Sequence, residues 1–240
     1  MIALNGAMAH ADDLVRLRAE KSCVSCKLND VRLKRIDLSG ANLSDADLSQ
    51  AILHRAKLAK ANLSKSSLTQ TNLNKTDLKS ADLAGAGLTG ALLYESDLSL
   101  ANLSNADFTE ARMGHARLVR VNAAAAIFRR ASLAGARLDD GRFEKADFAE
   151  ANLAGASLRR ASLAGAMFDN AGLIDAKLAE ADLRGAILTD ADLYGADLHD
   201  ADLTGADLSG ARLEKADLTG AKLDGAKLTG AVMPNGETHD

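Results

Sequence analysis

An apolar residue recurs at every fifth position along most of this chain. Of the 42 positions taken in steps of five from Leu28 to Met233, 34 are Leu, five are Phe, two are Met and one is Ala123. The position two residues before each of these is Ala in 33 of the 42 cases, and no insertion or deletion breaks the register. A period of five matches neither an α-helix nor a flat β-strand. Such a period, sustained for so long, indicates a repeat protein built as a solenoid.

Within each five-residue unit, the pattern Ala-x-Leu-x-x predicts a short inward-facing segment followed by a turn. Residues two apart point the same way in an extended chain, so the Ala and the Leu share one side. Of the 19 Gly residues, 13 occupy the position two after the Leu, where Gly tolerates unusual turn dihedrals. Aromatic residues are only 3% of the chain and Trp is absent, so small repeated side chains must fill the core.

The aromatic residues indicate how many units make one turn of the solenoid. Four of the five Phe residues are spaced by twenty, and only Phe143 is out of this series, whose members are Phe108, Phe128, Phe148 and Phe168. Stacking of identical residues is typical of parallel, in-register strands. Twenty residues are four units, which predicts a square coil. The volumes of the two inward side chains of a unit also compensate each other. The unit with the small Ala123 carries the larger Val121 where Ala is usual.

Units such as ANLSD, ADLSQ, ADLTG and ADLSG resemble the pentapeptide repeat family over residues 26–235. The segments EKSCVSC before the repeats and AVMPNG at their end are similar to repeat proteins common in cyanobacteria. The resemblance implies an all-β fold, a right-handed quadrilateral parallel β-helix of about 10 coils. With about 4.8 Å between strands, the rod would be roughly 50 Å long.

The chain divides into four segments by composition. Residues 1–11 are a leader or a signal-peptide remnant, 12–25 an N-terminal helical cap, 26–235 the repeats and 236–240 a C-terminal tail. The cap is predicted as a short helix that starts at Asp12 and Asp13 and covers the first coil with Leu14, Leu17 and Val15. The C-terminal edge is poorly covered, which favours end-to-end association or a C-terminal dimer.

The leader leaves two interpretations of localisation open. Residues 1–11 end in small-x-small triplets that resemble a signal-peptidase site, but they lack a basic n-region. A signal remnant predicts the periplasm or the thylakoid lumen, and a disordered leader predicts the cytoplasm. No stretch approaches 18 consecutive apolar residues, so no membrane span is predicted.

Cys23 and Cys26 form the chain's one Cys-x-x-Cys pair. In register they occupy an inward Leu position and an inward Ala position, which favours a disulfide or a buried thiol pair over redox function. Zinc is not expected, because there is no second such pair. No catalytic, cofactor-binding or metal-binding residues are predicted, so we expect a protein that is not an enzyme and uses no cofactor.

Charge is distributed unevenly along the predicted rod, although the net formal charge is only −4. Residues 27–80 hold 10 basic and 5 acidic side chains, whereas residues 161–220 hold 4 basic and 12 acidic ones. Alternating charges twenty residues apart, such as Arg120, Asp140, Arg160 and Glu180, predict ion-pair ladders between coils. One lateral surface is predicted to face a protein partner, through Arg35, Arg55, Lys75, Leu92, Tyr94, Ile174 and Tyr194.

Two functions are consistent with this pattern. The first is a non-enzymatic structural or interaction scaffold with an unknown protein partner. The alternative is a DNA mimic that modulates DNA gyrase through the acidic C-terminal half, as the family resemblance implies. Direct nucleic-acid binding by the basic first half is a weaker, third option, since the formal net charge of the chain is −4.

Overall fold

The computed structural model describes residues 4–240, with side chains from residue 11 onward. It contains one helix, α1 (Leu4–Glu20), followed by a continuous solenoid of five-residue repeats. Residues 1–3 of the predicted leader lie outside the described residues. Among those described, no helix combines the length and the apolar character needed to cross a membrane.

Each repeat consists of a single β-bridge residue, the inward Leu and a tight turn. In the repeat at Leu38, the carbonyl of Leu38 accepts the amide of Ala41 at 3.0 Å, and Gly40 between them has φ 70°. A positive φ at the third residue of the turn is the arrangement of a type II turn. Non-Gly residues adopt it too, as at Arg55 with φ 58°. Positive φ occurs at this position in every repeat from 21–25 to 226–230, so the fold imposes it, and Gly is only the residue that adopts it with the least strain.

Successive turns of the solenoid are related by twenty residues, as the Phe spacing predicts. Asn42 forms a parallel bridge with Asn62, and the amide of Leu43 donates to the Asn62 carbonyl at 2.7 Å. The same pattern repeats at every fifth residue. The four Phe residues in register stack with ring centroids 5.0, 4.8 and 4.9 Å apart. This confirms the register that the spacing predicts.

The core is a pair of inward columns, one of large and one of small side chains. Leu43 and Ala41 are completely buried, and nearly all their counterparts are buried to the same extent. Polar residues in the Ala column bond to backbone, since Thr71 Oγ1 donates to the Leu48 carbonyl at 2.7 Å. Towards the C-terminus the inward residues are only partly buried, namely Leu218, Leu223, Leu228 and Met233.

Helix α1 is longer than the sequence pattern predicts. It begins at Leu4 rather than Asp12, so Asp12 and Asp13 lie within the helix and not at its N-terminal end. The preceding segment is rich in Ala and Met, which are good helix formers, and this explains the extension. Leu17 is completely buried against the first turn and Leu14 partly so, but Val15 is 67% exposed and is not part of the cap.

The C-terminal tail folds back on the last turn. Val232 forms an antiparallel bridge with Thr238, and the amide of Met233 donates to the Glu237 carbonyl at 2.8 Å. The tail thus covers one part of the final edge. The partly buried leucines lie on the remainder of that edge.

Candidate partner-binding surface

A disulfide lies at the start of the solenoid, just after the end of helix α1. Cys23 and Cys26 are bonded to each other with their Cα atoms 5.3 Å apart, and both are buried. From the helix, the Arg16 guanidinium lies 2.7 Å from Cys26 Sγ, and Asp13 Oδ2 accepts the Lys27 amide at 2.8 Å. An Asp13 carboxylate oxygen and the two sulfurs lie within 4.8 Å of one another. Because the sulfurs are bonded to each other, the thiolates that a metal would need are not free.

The Asp and Asn residues that precede the inward Leu stabilise turns. Asp202 Oδ1 accepts the amide of Thr204 at 3.1 Å, and Asn62 Oδ1 accepts that of Ser64 at 3.0 Å. Hydrogen bonds from Thr204 lower the pKa of Asp202. Equivalent hydrogen bonds from Ser209 and Thr219 lower the pKa values of Asp207 and Asp217. These carboxylates hold the turns of their own repeats.

The ion-pair ladders predicted for the middle of the rod form in part. Arg160 Nε donates to Asp140 Oδ1 at 2.8 Å, and Arg130 bonds to Glu110. The bond from Arg160 lowers the pKa of Asp140. Arg120 and Glu180 influence these pairs electrostatically without entering an ion pair among the described residues. The central arginines are therefore largely neutralised by neighbouring turns.

A depression of about 490 Å³ lies among these central charges. It forms where Gly135, Gly155 and Ser157 lie between longer side chains. Its charged lining is mixed, since it combines Arg137, Arg159, Arg160 and Lys177 with Asp139 and Asp140. Asp139 is almost buried and accepts bonds from Arg137 and Ser157. The depression therefore presents no concentrated charge of either sign.

The acidic C-terminal half is also partly neutralised. Six of its carboxylates form ion pairs with arginines or lysines at 2.5 to 3.5 Å, on the same turn or up to two turns away, namely Asp182, Asp192, Asp197, Asp202, Asp207 and Glu214. Asp175, Asp190 and Asp217 form none within the described part of the chain. The acidic surface is consequently discontinuous.

One surface near the N-terminus carries positive charge that is not neutralised. It is formed by the stacked repeats 31–35, 51–55, 71–75, 91–95 and 111–115. We call it the N-terminal basic surface, and its cations are Arg32, Lys34, Arg35, Arg55, Lys75 and Arg112. Lys75 pairs with Glu95 at 3.1 Å. The other five cations have no ion pair with any described residue, and all five are exposed.

An aromatic ring lies at the far end of this surface. Tyr94 is 43% exposed, and Gly114 on the next turn leaves space for the ring, which lies edge-on to His115 at 5.7 Å. The hydrogen bond with Glu95 raises the pKa of Tyr94, and bonds from Lys75 and Tyr94 lower the pKa of Glu95. Leu92 is half-buried in the same repeat. An apolar anchor therefore adjoins the cations.

The structure divides the predicted partner surface into two groups. Arg35, Arg55, Lys75, Leu92 and Tyr94 lie on consecutive turns, each related to the next by twenty residues. The second group, Ile174 and Tyr194, lies four or more turns further along in the same register.

The second group is also less available to a partner than the first. Ile174 is 38% exposed, but Arg212 and Lys215 cover the Tyr194 ring at 4.5 and 4.9 Å. Sequence analysis missed Arg32 and Arg112, although both belong to the twenty-residue series that contains Leu92.

Comparison with known proteins agrees with this architecture. The family model for pentapeptide repeats matches the chain in several overlapping segments that run from residue 26 to residue 233. The chain is a pentapeptide repeat protein. Such proteins are generally structural or interaction proteins rather than enzymes. No curated protein matches the chain significantly.

Among solved structures, this pentapeptide repeat protein is similar over its full length to HetL from the cyanobacterium Nostoc, a pentapeptide repeat protein involved in regulation of heterocyst differentiation. The identity is 29%, the TM-score is 0.75, and 100% of each chain is covered. A thylakoid-lumen pentapeptide repeat protein of Arabidopsis thaliana is 32% identical, with a TM-score of 0.35 over 43% of this chain and 69% of that one. QnrB1, a plasmid-mediated fluoroquinolone resistance protein, is 19% identical, with a TM-score of 0.35 over 85% of this chain and 90% of that one.

Proposed function

We propose that this pentapeptide repeat protein is a non-enzymatic interaction scaffold that binds a protein partner through the N-terminal basic surface. The observation that supports this is the group of five exposed cations without ion pairs, beside Tyr94. Elsewhere on the rod, arginines such as Arg160 and Arg184 are paired within the chain. Arg and Tyr are favoured anchor residues in protein interfaces. The full-length likeness to HetL supports a regulatory setting for the interaction.

Proximity labelling in the source organism tests this proposal. The wild-type protein is compared with the double variant Arg35→Glu/Arg55→Glu and with a matched control, Lys60→Glu/Lys65→Glu. The control makes the same change of charge at equivalent exposed turn positions, outside the N-terminal basic surface. We expect at least one protein to be labelled by the wild type and the control but lost with the test variant. Identical labelling by all three would contradict the proposal.

The acidic half supports a second candidate, a DNA mimic that modulates DNA gyrase. Asp175, Asp190 and Asp217 are carboxylates without ion pairs among the described residues, on a segment with 12 acidic and 4 basic side chains. The neutralised carboxylates between them make this the weaker of the two. A gyrase supercoiling assay tests it: inhibition or protection at stoichiometric protein supports it, and no effect at a large excess excludes it.

We also propose that the rod is a right-handed quadrilateral β-helix of about ten coils. The register of twenty residues, or four repeats per turn, supports the square section, and 42 repeats then make about ten turns. The family resemblance supports the handedness. A crystal structure tests both features directly.

Localisation in an oxidising compartment, the periplasm or the thylakoid lumen, is a further proposal. It is supported by the Cys23–Cys26 disulfide, because disulfides are rare in reducing compartments. Mass spectrometry of the protein from its own source, without reduction, would detect the disulfide and the mature N-terminus. Free thiols in freshly trapped material would contradict the proposal.

Association through the C-terminal edge is proposed on the basis of the partly buried leucines there. Leu223 and Leu228 are inward residues of the last turn that are only partly buried, and an uncovered edge can pair with a second copy. Sedimentation of the wild type and of Leu223→Lys/Leu228→Lys tests this. We expect a dimer that the substitutions convert to a monomer, and a monomeric wild type at high concentration would contradict it.

A further inference from the structure

We propose that the N-terminal basic surface binds an extended acidic peptide segment whose apolar or aromatic residue packs beside Leu92 and Tyr94. The inference rests on the proposed function and specifies the chemistry of the partner. Its basis is the order of side chains along one line of stacked repeats, in which four of the five unpaired cations precede Leu92 and Tyr94 and only Arg112 follows them.

The first part of the argument is the local excess of positive charge. The five stacked repeats of this surface contain six cationic side chains and a single carboxylate, Glu95. Glu95 pairs with Lys75, so the end nearest the helix has no internal counter-charge. Exposed charges of one sign attract an oppositely charged partner and orient it on approach. The partner segment should therefore be acidic where it meets Arg35 and Arg55.

The second part is the position of the apolar anchor. Tyr94 is held in place because its own amide donates to Asn74 Oδ1 at 2.8 Å and its ring lies over Gly114. Leu92 projects outward from the same repeat, two residues before Tyr94. A fixed, half-exposed ring next to an aliphatic side chain can bind an apolar residue with little loss of conformational entropy.

The third part is length. From repeat 31–35 to repeat 111–115 is four turns, which at about 4.8 Å each is about 19 Å. An extended peptide advances by about 3.3 Å per residue, so about six residues span the surface. The expected ligand is thus a segment of about six to eight residues, acidic at one end and apolar at the other.

A peptide fits this surface better than a nucleic acid does. The cations occupy only the four-turn length, and the carboxylate of Glu95 lies beside the Tyr94 hydroxyl, where it would repel a phosphate. One face of the Tyr94 ring is occupied by Gly114 and its edge by His115, which restricts base stacking. An apolar side chain needs neither a free second face nor a positive charge at that end.

Fluorescence anisotropy with defined probes tests the proposal on the full chain. The probes are two labelled octapeptides of six glutamates and one Phe-Leu pair, which is N-terminal in the first and C-terminal in the second. Matched peptides have Ala-Ala in place of Phe-Leu. We expect saturable binding of at least one Phe-Leu peptide, which weakens as salt is raised. Arg35→Glu/Arg55→Glu should weaken it at least about tenfold, and Lys60→Glu/Lys65→Glu by less than about threefold.

A second variant separates the apolar contact from the charge. Tyr94→Ala should weaken binding of the Phe-Leu peptide about fivefold or more and leave the Ala-Ala peptide unchanged. Circular dichroism of each variant verifies that the solenoid is intact. Equal losses for both peptides would overturn the assignment of Tyr94 as the anchor.

Other outcomes overturn the proposal as a whole. These are no binding of any peptide, equal weakening by the test and control pairs, and tighter binding of a labelled 20-nucleotide single strand or duplex. If the peptides fail while proximity labelling still finds a partner that depends on Arg35 and Arg55, the scaffold function stands and the partner is not acidic. If the peptides bind but proximity labelling finds no partner that depends on Arg35 and Arg55, the scaffold function is rejected and the peptide-binding proposal stands.

Discussion

Single residues in this core are matched in volume within their own repeat. Val121 occupies a position where Ala is usual, and the same repeat carries Ala123 where Leu is usual. The converse occurs one turn later, where Gly141 precedes Phe143. A Cβ on Gly141 would overlap the Phe143 ring, so the Phe143 side chain leaves room only for Gly there. Each turn of the solenoid is a single layer of chain. A larger inward side chain must therefore be compensated by a smaller one close to it, because distant residues cannot make room for it.

At this scale we predict that Phe128→Ala destabilises the protein by about 3–5 kcal/mol. Phe128 stacks between Phe108 and Phe148 at 5.0 and 4.8 Å and contacts Phe143 edge-on, so its removal leaves a cavity with no side chain to fill it. Guanidinium denaturation followed by circular dichroism measures the change. Phe128→Leu, which restores the usual residue, should lose much less; equal losses would contradict the volume argument.

The turn glycines provide a second prediction at the residue scale. Gly40 has φ 70°, and an added Cβ would meet nothing within 4 Å, so Gly40→Ala tests the backbone penalty alone. We expect a loss of about 1 kcal/mol. Leu100, 59% exposed with φ 64°, is the converse case. Leu100→Asn should raise stability, since Asn tolerates this conformation. The same denaturation assay applies, and a stabilising Gly40→Ala would contradict the prediction.

At the scale of elements, the solenoid is a series of identical turns closed at one end by helix α1. The helix contributes Leu17, which is completely buried, and its Arg16 and Asp13 contact the segment around the disulfide. A repeat array needs such a cap because its terminal turn has no neighbour on one side. The C-terminal tail provides a smaller cover through the Val232–Thr238 bridge.

We predict that reduction of the Cys23–Cys26 disulfide loosens the cap without unfolding the rod. The bond joins residues only three apart, so its effect on the unfolded chain is small and its main role is local. Hydrogen–deuterium exchange with and without a phosphine reductant measures this. We expect faster exchange in α1 and the first turn of the solenoid, and no change in the turns from Phe108 to the C-terminus. Cys23→Ala/Cys26→Ala should behave like the reduced protein, and unchanged exchange in α1 would contradict the idea.

At the scale of the whole molecule, the exterior is a pattern of charge on a regular framework. The middle of the rod is neutralised by ion pairs between turns, the C-terminal half is partly neutralised, and the N-terminal basic surface is not. Exposed ion pairs contribute little individually. Their distribution matters more for association, because it leaves one surface with a net attraction for acidic partners.

Acid should destabilise the whole rod. The pKa values of Asp37, Asp140, Asp182 and Asp202 are lowered in the folded state, by turn hydrogen bonds or by arginine partners. A carboxyl with a lowered folded pKa stabilises the protein above its unfolded pKa of about 3.9, and the stabilisation is lost as the pH falls through the folded value. We therefore expect Tm to be level from pH 7 to about pH 5 and to fall below about pH 4.

Thermal melts from pH 7 to pH 2, with Asp→Asn variants, measure this. Asn42 and Asn62 accept the same turn hydrogen bonds as the aspartates. The triple variant Asp202→Asn/Asp207→Asn/Asp217→Asn should thus keep its turns but be somewhat less stable than the wild type at neutral pH, because the stabilisation that depends on charge is removed, and it should lose less in acid. A Tm that is independent of pH between 5 and 2 would contradict the assignment.

The sequence by itself determined the solenoid, its register and its core. A period of five with Leu and Ala at set positions leaves one side for the interior, and the Phe108 series specifies twenty residues per turn, since like rings stack. The turn at the Gly positions also follows from the sequence. The membership of the N-terminal basic surface follows in part, because the steps of twenty that relate Arg35, Arg55 and Lys75 apply equally to Leu92 and Arg112.

Only the tertiary structure decided which charges remain free and where the cap begins. Side chains such as Arg129 and Arg159 reach carboxylates 18 and 38 residues away, and these pairings depend on side-chain reach across turns rather than on register. The early start of α1 at Leu4 and the fold-back of the tail onto Val232 belong to segments without the repeat. The position of a repeat residue is predictable because every repeat contacts the same kind of neighbour. Outside the repeats, and where a long side chain can reach several partners, the structure depends on tertiary packing.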